Sequence, residues 1–145
     1  MLYYLSLGSN LGDREQTLEA AKRLIEQQIG TITRCSSFFY SEPWGFKSEH
    51  SFCNLCCAVE TPLTPLAMLS ATQAIEQALG RTKKSSDGHY SDRTIDIDII
   101  RAFDKNGNEK AYYFQFSTFN LVIPHPLWAQ RDFVRIPLQE IKTDI

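Results

Sequence analysis

The segment DRTIDIDII, residues 92–100, alternates isoleucine with acid. Its three isoleucines occupy odd positions, and its two central acids, Asp96 and Asp98, lie between them. Because successive side chains of a β-strand point to opposite faces, the isoleucines share one face and the aspartates share the other. The pattern therefore predicts a strand that is anchored in a core on one side and presents a carboxylate pair on the other.

Two neighbouring acids in a strand need an explanation, because Asp is disfavoured there and like charges on one face repel. Their Cα atoms are expected about 6.6 Å apart, so both carboxylates can lean toward shared cations. Mg²⁺ prefers oxygen ligands and usually combines one or two carboxylates with substrate phosphates and water. The spacing alone leaves two interpretations open: a Mg²⁺ site, or a hydrated strand face that carries Asp.

Basic residues cluster just upstream of the acid pair. They are Arg81, Lys83, Lys84, His89 and Arg93. Cations beside metal-binding acids are typical of polyphosphate sites, where the metal neutralises some oxygens and arginines hold others. Arg93 lies three residues before Asp96, which favours a functional role, whereas the two lysines fit a solvated loop equally well. The polar stretch 81–92 is either merely mobile or a lid over a substrate.

A second group of residues suits a flat ligand. Phe52 and Asn54 flank Cys53 and would face the same way on a strand. Trp44 and Phe133 supply two further rings. Aromatic rings can stack on a heterocycle, and an amide offers the edge of that heterocycle a donor and an acceptor. The same aromatic residues are equally compatible with an ordinary core.

Length and composition restrict the possible classes of protein. The 145 residues fit one compact domain, for which we expect the bounds 1–145. The net charge of −2 argues against a general polyanion-binding surface. No apolar run approaches the roughly 20 residues of a spanning helix, and the N-terminus lacks the features of a signal peptide. We therefore expect a cytoplasmic protein without nucleic-acid or membrane partners.

The cysteines are best explained as core residues. There are four of them, and Cys53 and Cys56 form a C-x-x-C spacing that is found in zinc and redox sites. No second pair follows, and the surrounding segment is typical of an apolar strand. We expect reduced, buried thiols that act as small hydrophobic groups.

Local signals predict strands and helices that mix without regular alternation. This mixture indicates an α+β fold with an antiparallel or mixed sheet. Predicted strands cover residues 2–7, 31–40 and 52–60, in addition to the strand with the acid pair. Two predicted helices begin at the N-caps Asp13 and Thr64 and end at Gly30 and Gly80; the second has apolar positions at Leu66, Leu69 and Leu79.

Two glycine-containing segments are predicted to be turns. The segment GSNLGD, residues 8–13, is expected to end the first strand as a tight turn, with direct phosphate contact as the alternative. Asn106-Gly107 is a strong hairpin signal, after which residues 112–116 would form the returning strand.

The chain resembles the 6-hydroxymethyl-7,8-dihydropterin pyrophosphokinases of folate biosynthesis. The similarity covers nearly the whole chain and rests on the ordered segments LSLGSNLGD, SSFFYSEPWG, FCNLCCAVET, IEQALGR, RTIDIDII and IPHPLWAQRDFV. It implies a ferredoxin-like α+β core, with a central, mainly antiparallel sheet in a three-layer αβα arrangement. It also implies a usually monomeric enzyme that transfers diphosphate from ATP to the pterin's hydroxymethyl group and releases AMP.

The resemblance also implies roles for individual residues. Asp96 and Asp98 would hold two Mg²⁺ ions between the ATP phosphates and the pterin hydroxyl, and Arg81 and Arg93 would assist transfer. The implied ATP contacts are Gln73, Glu76, Lys83, Arg93, His125 and Arg131. The implied pterin contacts are Ser41, Pro43, Trp44, Phe52, Asn54 and Phe133, with the two phenylalanines enclosing the ring.

Three departures from the family pattern lie near the acid pair. Ser91-Asp92 stands where the family commonly has Gly and a small residue or Pro, and it adds a negative charge beside Arg93. Tyr90 takes the place of a frequent Trp, and Lys83 replaces an arginine, which removes a bidentate phosphate contact. The departures leave the kinetic role of this loop open.

Two alternatives to an active pyrophosphokinase are kept. One is an RNA-binding module, because a ferredoxin-like sheet with exposed aromatics can stack bases. Against it, the chain lacks an aromatic-basic RNP signature and is mildly acidic. The other is a relic that binds pterin without transferring diphosphate, which the Ser91-Asp92 departure keeps open.

Overall fold

The computed structural model describes residues 1–42, 51–80 and 94–142. The elements within these ranges are β1 Leu2–Ser9, α1 Arg14–Gln28, β2 Thr31–Cys35, β3 Phe39–Ser41, β4 Phe52–Glu60, α2 Pro65–Ala78, β5 Asp96–Phe103, β6 Glu109–Lys110, β7 Tyr112–Gln115, β8 Asn120–Ile123 and α3 Asp132–Ile141. A single 3₁₀ turn, Trp128–Gln130, precedes α3.

The main sheet has the order β2-β4-β1-β5-β6, with β3 also paired to β4, and its pairings are antiparallel. Its central strands and the first two helices follow the chain order β1-α1-β2-β4-α2-β5. This succession and strand order form the ferredoxin-like pattern. β7 and β8 make a separate antiparallel pair. The predicted α+β class and mainly antiparallel sheet are confirmed.

Each face of the sheet has its own apolar core, which is the basis of the three layers. One core lies under α1 and α2; its largest buried members are Tyr3, Leu5, Leu7, Leu18, Ile25, Leu55, Met68, Ile75, Ile95 and Ile123. The other lies under α3 and contains Tyr4, Cys56, Ala58, Ile100, Val134, Leu138 and Ile141. Alternate residues of β1 and β4 therefore enter different cores, as the two-residue period of a strand requires.

The helix starts form as their capping residues predict. The Asp13 side chain accepts a hydrogen bond from the backbone N–H of Gln16 at 3.1 Å. Thr64 Oγ1 accepts from the N–H of Ala67 at 3.3 Å, and Pro65 is the first residue of α2. Each cap satisfies one of the donors that an α-helix leaves unpaired at its N-terminus.

The predicted return from the Asn106-Gly107 turn is wrong. The turn forms, with Gly107 at a φ of 84°, but the short strand β6 returns beside β5. β7 leaves the sheet and pairs with β8 instead. Tyr112 and Phe114 of β7 pack against the α1/α2 core, and burial of their rings outweighs continuation of the hairpin.

Three smaller expectations also differ from the structure. The strand predicted at residues 31–40 is divided into β2 and β3, and between them the side chain of Ser36 takes part in the pairing: its Oγ accepts from the N–H of Cys56 at 2.9 Å. β1 continues through Gly8 to Ser9, so the turn begins later than predicted. Leu66 is 39% exposed, and α2 buries Met68 and Ile75 instead.

Gly30 follows the end of α1, as predicted, but its backbone is not left-handed. Its φ is not positive, unlike that of Gly12, Gly80 and Gly107. A Cβ on Gly30 would overlap the carbonyl oxygen of Glu60 and lie 2.9 Å from Thr61 Cβ. The absence of a side chain therefore lets the chain after α1 pass against the end of β4.

We expect Gly30→Ala to lower the free energy of unfolding by about 2–3 kcal/mol, because the obstructing atom is backbone and cannot rotate away. Gly12→Ala is the matched control, since φ there is 67° and nothing lies within 4 Å of the added Cβ; backbone strain should cost about 1 kcal/mol. Urea denaturation measures both. An equal or smaller loss at Gly30 would show that the close approach does not limit stability.

Candidate functional site

Asp96 and Asp98 lie on the α3 face of β5, as their alternation with isoleucine predicts. Both acids are half-buried, whereas Ile95, Ile97 and Ile99 are buried in the α1/α2 core. Asp96 pairs with Gly8 and Asp98 with Ser6 on the neighbouring strand β1. The carboxylates are thus attached to a strand that packing holds on its other side.

One row across the sheet connects the acids to the predicted acceptor residues. Gly8 pairs with Asp96 on one side and with Asn54 of β4 on the other. A Cβ on Gly8 would lie 2.9 Å from Asn54 Oδ1 and 3.6 Å from a ring carbon of Phe52. Glycine at this position makes room for both side chains, because paired residues of neighbouring strands face the same way.

Asn54 is held in one orientation by its amide group. The residue is 2% exposed. Its Nδ2 donates to Ser41 Oγ at 2.8 Å and to the carbonyl oxygen of Phe39 at 3.0 Å. Since Ser41 pairs with Phe52 across β3 and β4, three of the predicted pterin contacts stand together. The amide is therefore held with Nδ2 toward Ser41 and Oδ1 toward Gly8.

Arg131 brings a positive charge to the start of α3. It is the N-cap of that helix and only 3% exposed. Its guanidinium carbon lies 5.8 Å from the centre of the Phe133 ring, within cation–π range. Phe133 packs on the core under α3, so both residues belong to the face that carries the acids.

The charges of Arg131 and Asp96 both act on His125. Its backbone N–H donates to the carbonyl of Ile100 at 2.8 Å, and Nδ1 accepts from the N–H of Leu127 at 3.2 Å. Burial, together with Arg131, lowers the pKa of His125 to about 4, while Asp96 acts in the opposite direction. The imidazole is therefore neutral at pH 7, and the bond at Nδ1 assigns its proton to Nε2.

Glu76 reaches the same strand from the α2 side. It is 4% exposed, and its Oε2 accepts from the backbone N–H of Ile97 at 2.8 Å. Ile97 lies between the two acids in the sequence. Among the described strands, only β1 pairs with this part of β5. The carboxylate thus satisfies a ladder donor that would otherwise be buried without a partner. Gln73 lies one turn earlier on α2 and is half-buried.

Several predicted site residues lie outside the described ranges. They are Pro43, Trp44, Arg81, Lys83 and Arg93, together with the departures Tyr90, Ser91 and Asp92. The other predicted residues are described: Asp96, Asp98, His125, Arg131, Phe133, Ser41, Phe52 and Asn54 are on or beside the α3 face, and Gln73 and Glu76 are on α2. The structure gives positions for this second set only, and the binding roles of both sets stay predictions.

The donor set on β5 suits a cation that shares its ligands with a substrate. Among the described residues, no group of three or more His, Cys, Asp or Glu side chains could enclose a metal by itself. Two carboxylates on one strand face are the usual protein share of a Mg²⁺ site completed by phosphates and water. The residues present therefore fit Mg²⁺ bound together with a polyphosphate.

The cysteines do not form a site within the described part of the chain. Cys53 belongs to the α1/α2 core and Cys56 to the core under α3, so the C-x-x-C pair is divided between the two faces. Burial raises the pKa of the Cys56 thiol to about 12. Cys53, Cys56 and Cys57 are buried, as expected, whereas Cys35 is only partly buried.

Two contributors were missed by sequence reasoning. Gly8 was assigned to a turn, and the hydrogen bond of Glu76 to the backbone of β5 was not predicted; the expected contact of Glu76 with ATP stays a prediction. For Gly8, the small residue opposite Asp96 and Asn54 becomes recognisable only once the register is known. For Glu76, an acid on the buried side of α2 was the available signal, because a buried carboxylate needs a partner.

We expect Glu76→Ala to lower the free energy of unfolding by about 3 kcal/mol, because it leaves the Ile97 N–H unsatisfied and opens a cavity. Glu76→Gln keeps an oxygen acceptor and should cost about 1 kcal/mol or less. The exposed neighbour Gln77→Ala is the control. Urea denaturation without ligand measures the three variants, and equal stability of the Ala and Gln variants would contradict the assigned contact.

Comparison with known proteins places the chain in a family. Residues 4–143 match the family described as 7,8-dihydro-6-hydroxymethylpterin-pyrophosphokinase (HPPK). A Porphyromonas gingivalis protein named 2-amino-4-hydroxy-6-hydroxymethyldihydropteridine pyrophosphokinase is 45% identical over 140 residues, covering 97% of this chain and 90% of that protein. A Bacillus subtilis protein of the same name is 37% identical over 139 residues, covering 95% and 76%.

Solved structures agree on the fold. A Plasmodium falciparum HPPK-DHPS triple mutant with SDX-DHP superposes with a TM-score of 0.72 at 17% identity, covering 97% of this chain and 40% of that chain. None of the helices in the described ranges has the length and hydrophobicity of a membrane span.

The family match spans nearly the whole chain, and both relatives carry the same enzyme name. The chain therefore belongs to the 7,8-dihydro-6-hydroxymethylpterin-pyrophosphokinase family and is an enzyme of folate biosynthesis.

Proposed function

We propose that the chain transfers the diphosphate of ATP to 6-hydroxymethyl-7,8-dihydropterin, in the presence of Mg²⁺, and yields AMP and the pterin diphosphate. In this reaction the pterin hydroxyl oxygen bonds to the β-phosphorus, the bond between that phosphorus and the oxygen of AMP breaks, and the hydroxyl proton leaves. The observation that carries the proposal is the sheet row from Asp96 through Gly8 to Asn54, which sets the acids beside the acceptor residues.

Asp96 and Asp98 are the proposed ligands of two Mg²⁺ ions. Bound there, Mg²⁺ would supply charge neutralisation for the polyphosphate and lower the pKa of the attacking hydroxyl. The chain contributes rigidity, since the isoleucines between and beside the acids are buried. Cations bound between the two carboxylates would relieve their mutual repulsion, which favours binding of Mg²⁺ at this place.

Arg131 and His125 are proposed to hold ATP beside the acids. A buried guanidinium binds phosphate oxygens through paired hydrogen bonds and needs no change of protonation. The neutral His125 offers an Nε2–H donor without adding a further positive charge beside Arg131. Gln73, Glu76, Lys83 and Arg93 remain further proposed ATP contacts, and Arg81 and Arg93 are proposed to stabilise the transferring group.

The acceptor pocket is proposed to lie on the face of β4 that carries Phe52 and Asn54. Ser41 and Phe39 orient the Asn54 amide, so that its edge is fixed before any ligand arrives. The rings of Phe52 and Phe133 are proposed to stack on the pterin, with Pro43 and Trp44 completing the pocket. The pocket would then hold the hydroxymethyl group toward the acids, so that the two bound substrates react without first having to meet in solution.

We further expect the enzyme to act as a monomer in the cytoplasm on small-molecule substrates. A relic that binds pterin without transferring diphosphate stays the second candidate, because the Ser91-Asp92 departure adds an acid beside Arg93. The two candidates predict the same fold and the same binding of pterin. Only the release of AMP separates them.

The test measures AMP formed from ATP and Mg²⁺ with and without 6-hydroxymethyl-7,8-dihydropterin. We expect pterin-dependent AMP release by the wild type and a loss of about 100-fold or more in kcat for Asp98→Asn, which keeps the shape of the side chain and removes its charge. The control Asp104→Asn alters an acid in the exposed turn after β5 and should remain within about twofold of the wild type.

Each result has a consequence. A folded wild type that releases no AMP would reject the proposed transfer in favour of the relic. Full activity of Asp98→Asn would leave the transfer in place and contradict the assignment of the acid pair. A deficit of equal size in Asp104→Asn would show that the assay responds to general damage.

A further inference from the structure

The first residue of α1 reaches a strand that lies 37 positions further along the chain. Arg14 Nη1 donates to the carbonyl oxygen of Ser51 and to Ser51 Oγ, both at 2.8 Å. Ser51 immediately precedes Phe52, the start of β4. One guanidinium therefore fixes both the backbone and the side chain of the residue from which β4 begins.

The same guanidinium also contacts β3. Its carbon lies 5.4 Å from the centre of the Tyr40 ring, within cation–π range. Tyr40 pairs with Cys53, and its successor Ser41 pairs with Phe52. Arg14 thus touches both β3 and the beginning of β4, at the end of the sheet where Ser41 and Phe52 meet.

Arg14 acts from behind the proposed acceptor pocket. α1 packs on one face of the sheet, whereas Phe52 and Asn54 share the strand face of Cys56, which belongs to the core under α3. The guanidinium therefore has no need to touch a substrate in order to influence it. It can set the position of the strand end from which the pocket residues project.

The location of Arg14 favours a specific role over a solvated charge. It is the first residue of a helix, where the positive end of the macrodipole disfavours a cation. Glu15 offsets part of this cost, with its Oε1 3.6 Å from Arg14 Nε. The side chain is 27% exposed, and its two short hydrogen bonds go to Ser51, just before β4, rather than to its own helix.

We propose that Arg14 is a positioning residue for the acceptor side of the reaction. By holding Ser51 and packing on Tyr40, it fixes the end of β4 and, through it, the Phe52 ring and the Asn54 amide. The role concerns the pterin and not ATP, because Arg14 contacts Ser51 and Tyr40, beside the proposed pterin contacts, whereas the acids, His125 and Arg131 lie on β5 and near the start of α3. This inference rests on the proposed function, since the pterin is the acceptor there.

The test compares Arg14→Ala and Arg14→Lys with Arg23→Ala, which removes an exposed arginine from the same helix. AMP release gives KM for the pterin, KM for ATP and kcat. For Arg14→Ala we expect KM for the pterin to rise about tenfold and KM for ATP to stay within about twofold. Arg14→Lys should fall between, because an ammonium can donate to Ser51 but does not offer the Tyr40 ring a planar guanidinium. Arg23→Ala should match the wild type.

A second measurement is independent of activity. Amide hydrogen exchange of the substrate-free protein should become about tenfold faster over residues 51–55 in Arg14→Ala and stay unchanged in Arg23→Ala. An inactive wild type would refute the proposed function, and this exchange would then decide alone whether Arg14 holds the strand end. Unchanged exchange, an unchanged KM for the pterin, or a parallel rise in both KM values would each overturn the positioning role.

Discussion

The register of β5 on β1 is the constraint on which the rest of the structure depends. It sets Asp96 opposite Gly8, and the register of β1 on β4 sets Gly8 opposite Asn54. A slip of one residue would turn Asp96 and Asp98 into the α1/α2 core and expose three isoleucines. The cost of burying two carboxylates in an apolar cluster specifies the pairing strongly. Fold and site are therefore determined by the same alternation.

One face of the sheet carries the larger apolar core, and the other face carries the groups proposed to act in the reaction. α1 and α2 cover one face with the larger core, which anchors the isoleucines of β5. α3 covers part of the other face and brings Arg131 and Phe133 to the side of the acids. The helices of the first face also support the strands from behind, through Glu76 at Ile97 and Arg14 at Ser51. Rigid strands then present the polar groups with little freedom to lose on binding.

The features that could be predicted from the sequence were local. The isoleucine–aspartate alternation, the caps Asp13 and Thr64, and the strand predicted at residues 52–60 depend on neighbours a few residues away, and the structure confirms them. The wrong return strand shows the opposite case, since β7 follows the burial of Tyr112 and Phe114 in a core built by distant elements. Propensity within a short segment does not contain that information.

The same distinction holds for the site. The acids, Asn54 and the aromatic rings were predicted to form the site from residue type and from resemblance, and the described ones lie on or beside the α3 face of the sheet. Gly8, Glu76 and Arg14 act through partners separated from them by 21 to 46 positions or by a strand register. Their roles follow from where the strands pair, which no spacing along the chain reveals.

The central claim is that Asp96 and Asp98 hold the cations that neutralise the transferred diphosphate. Electron paramagnetic resonance of Mn²⁺, titrated with a non-hydrolysable ATP analogue, measures it directly in the wild type, Asp96→Asn, Asp98→Asn and the control Asp104→Asn. The account predicts about two Mn²⁺ ions bound per wild-type chain and at least one ion fewer, or an affinity at least about tenfold weaker, in either site variant. Unchanged number and affinity in both site variants would contradict the account and leave the acid pair without its explanation.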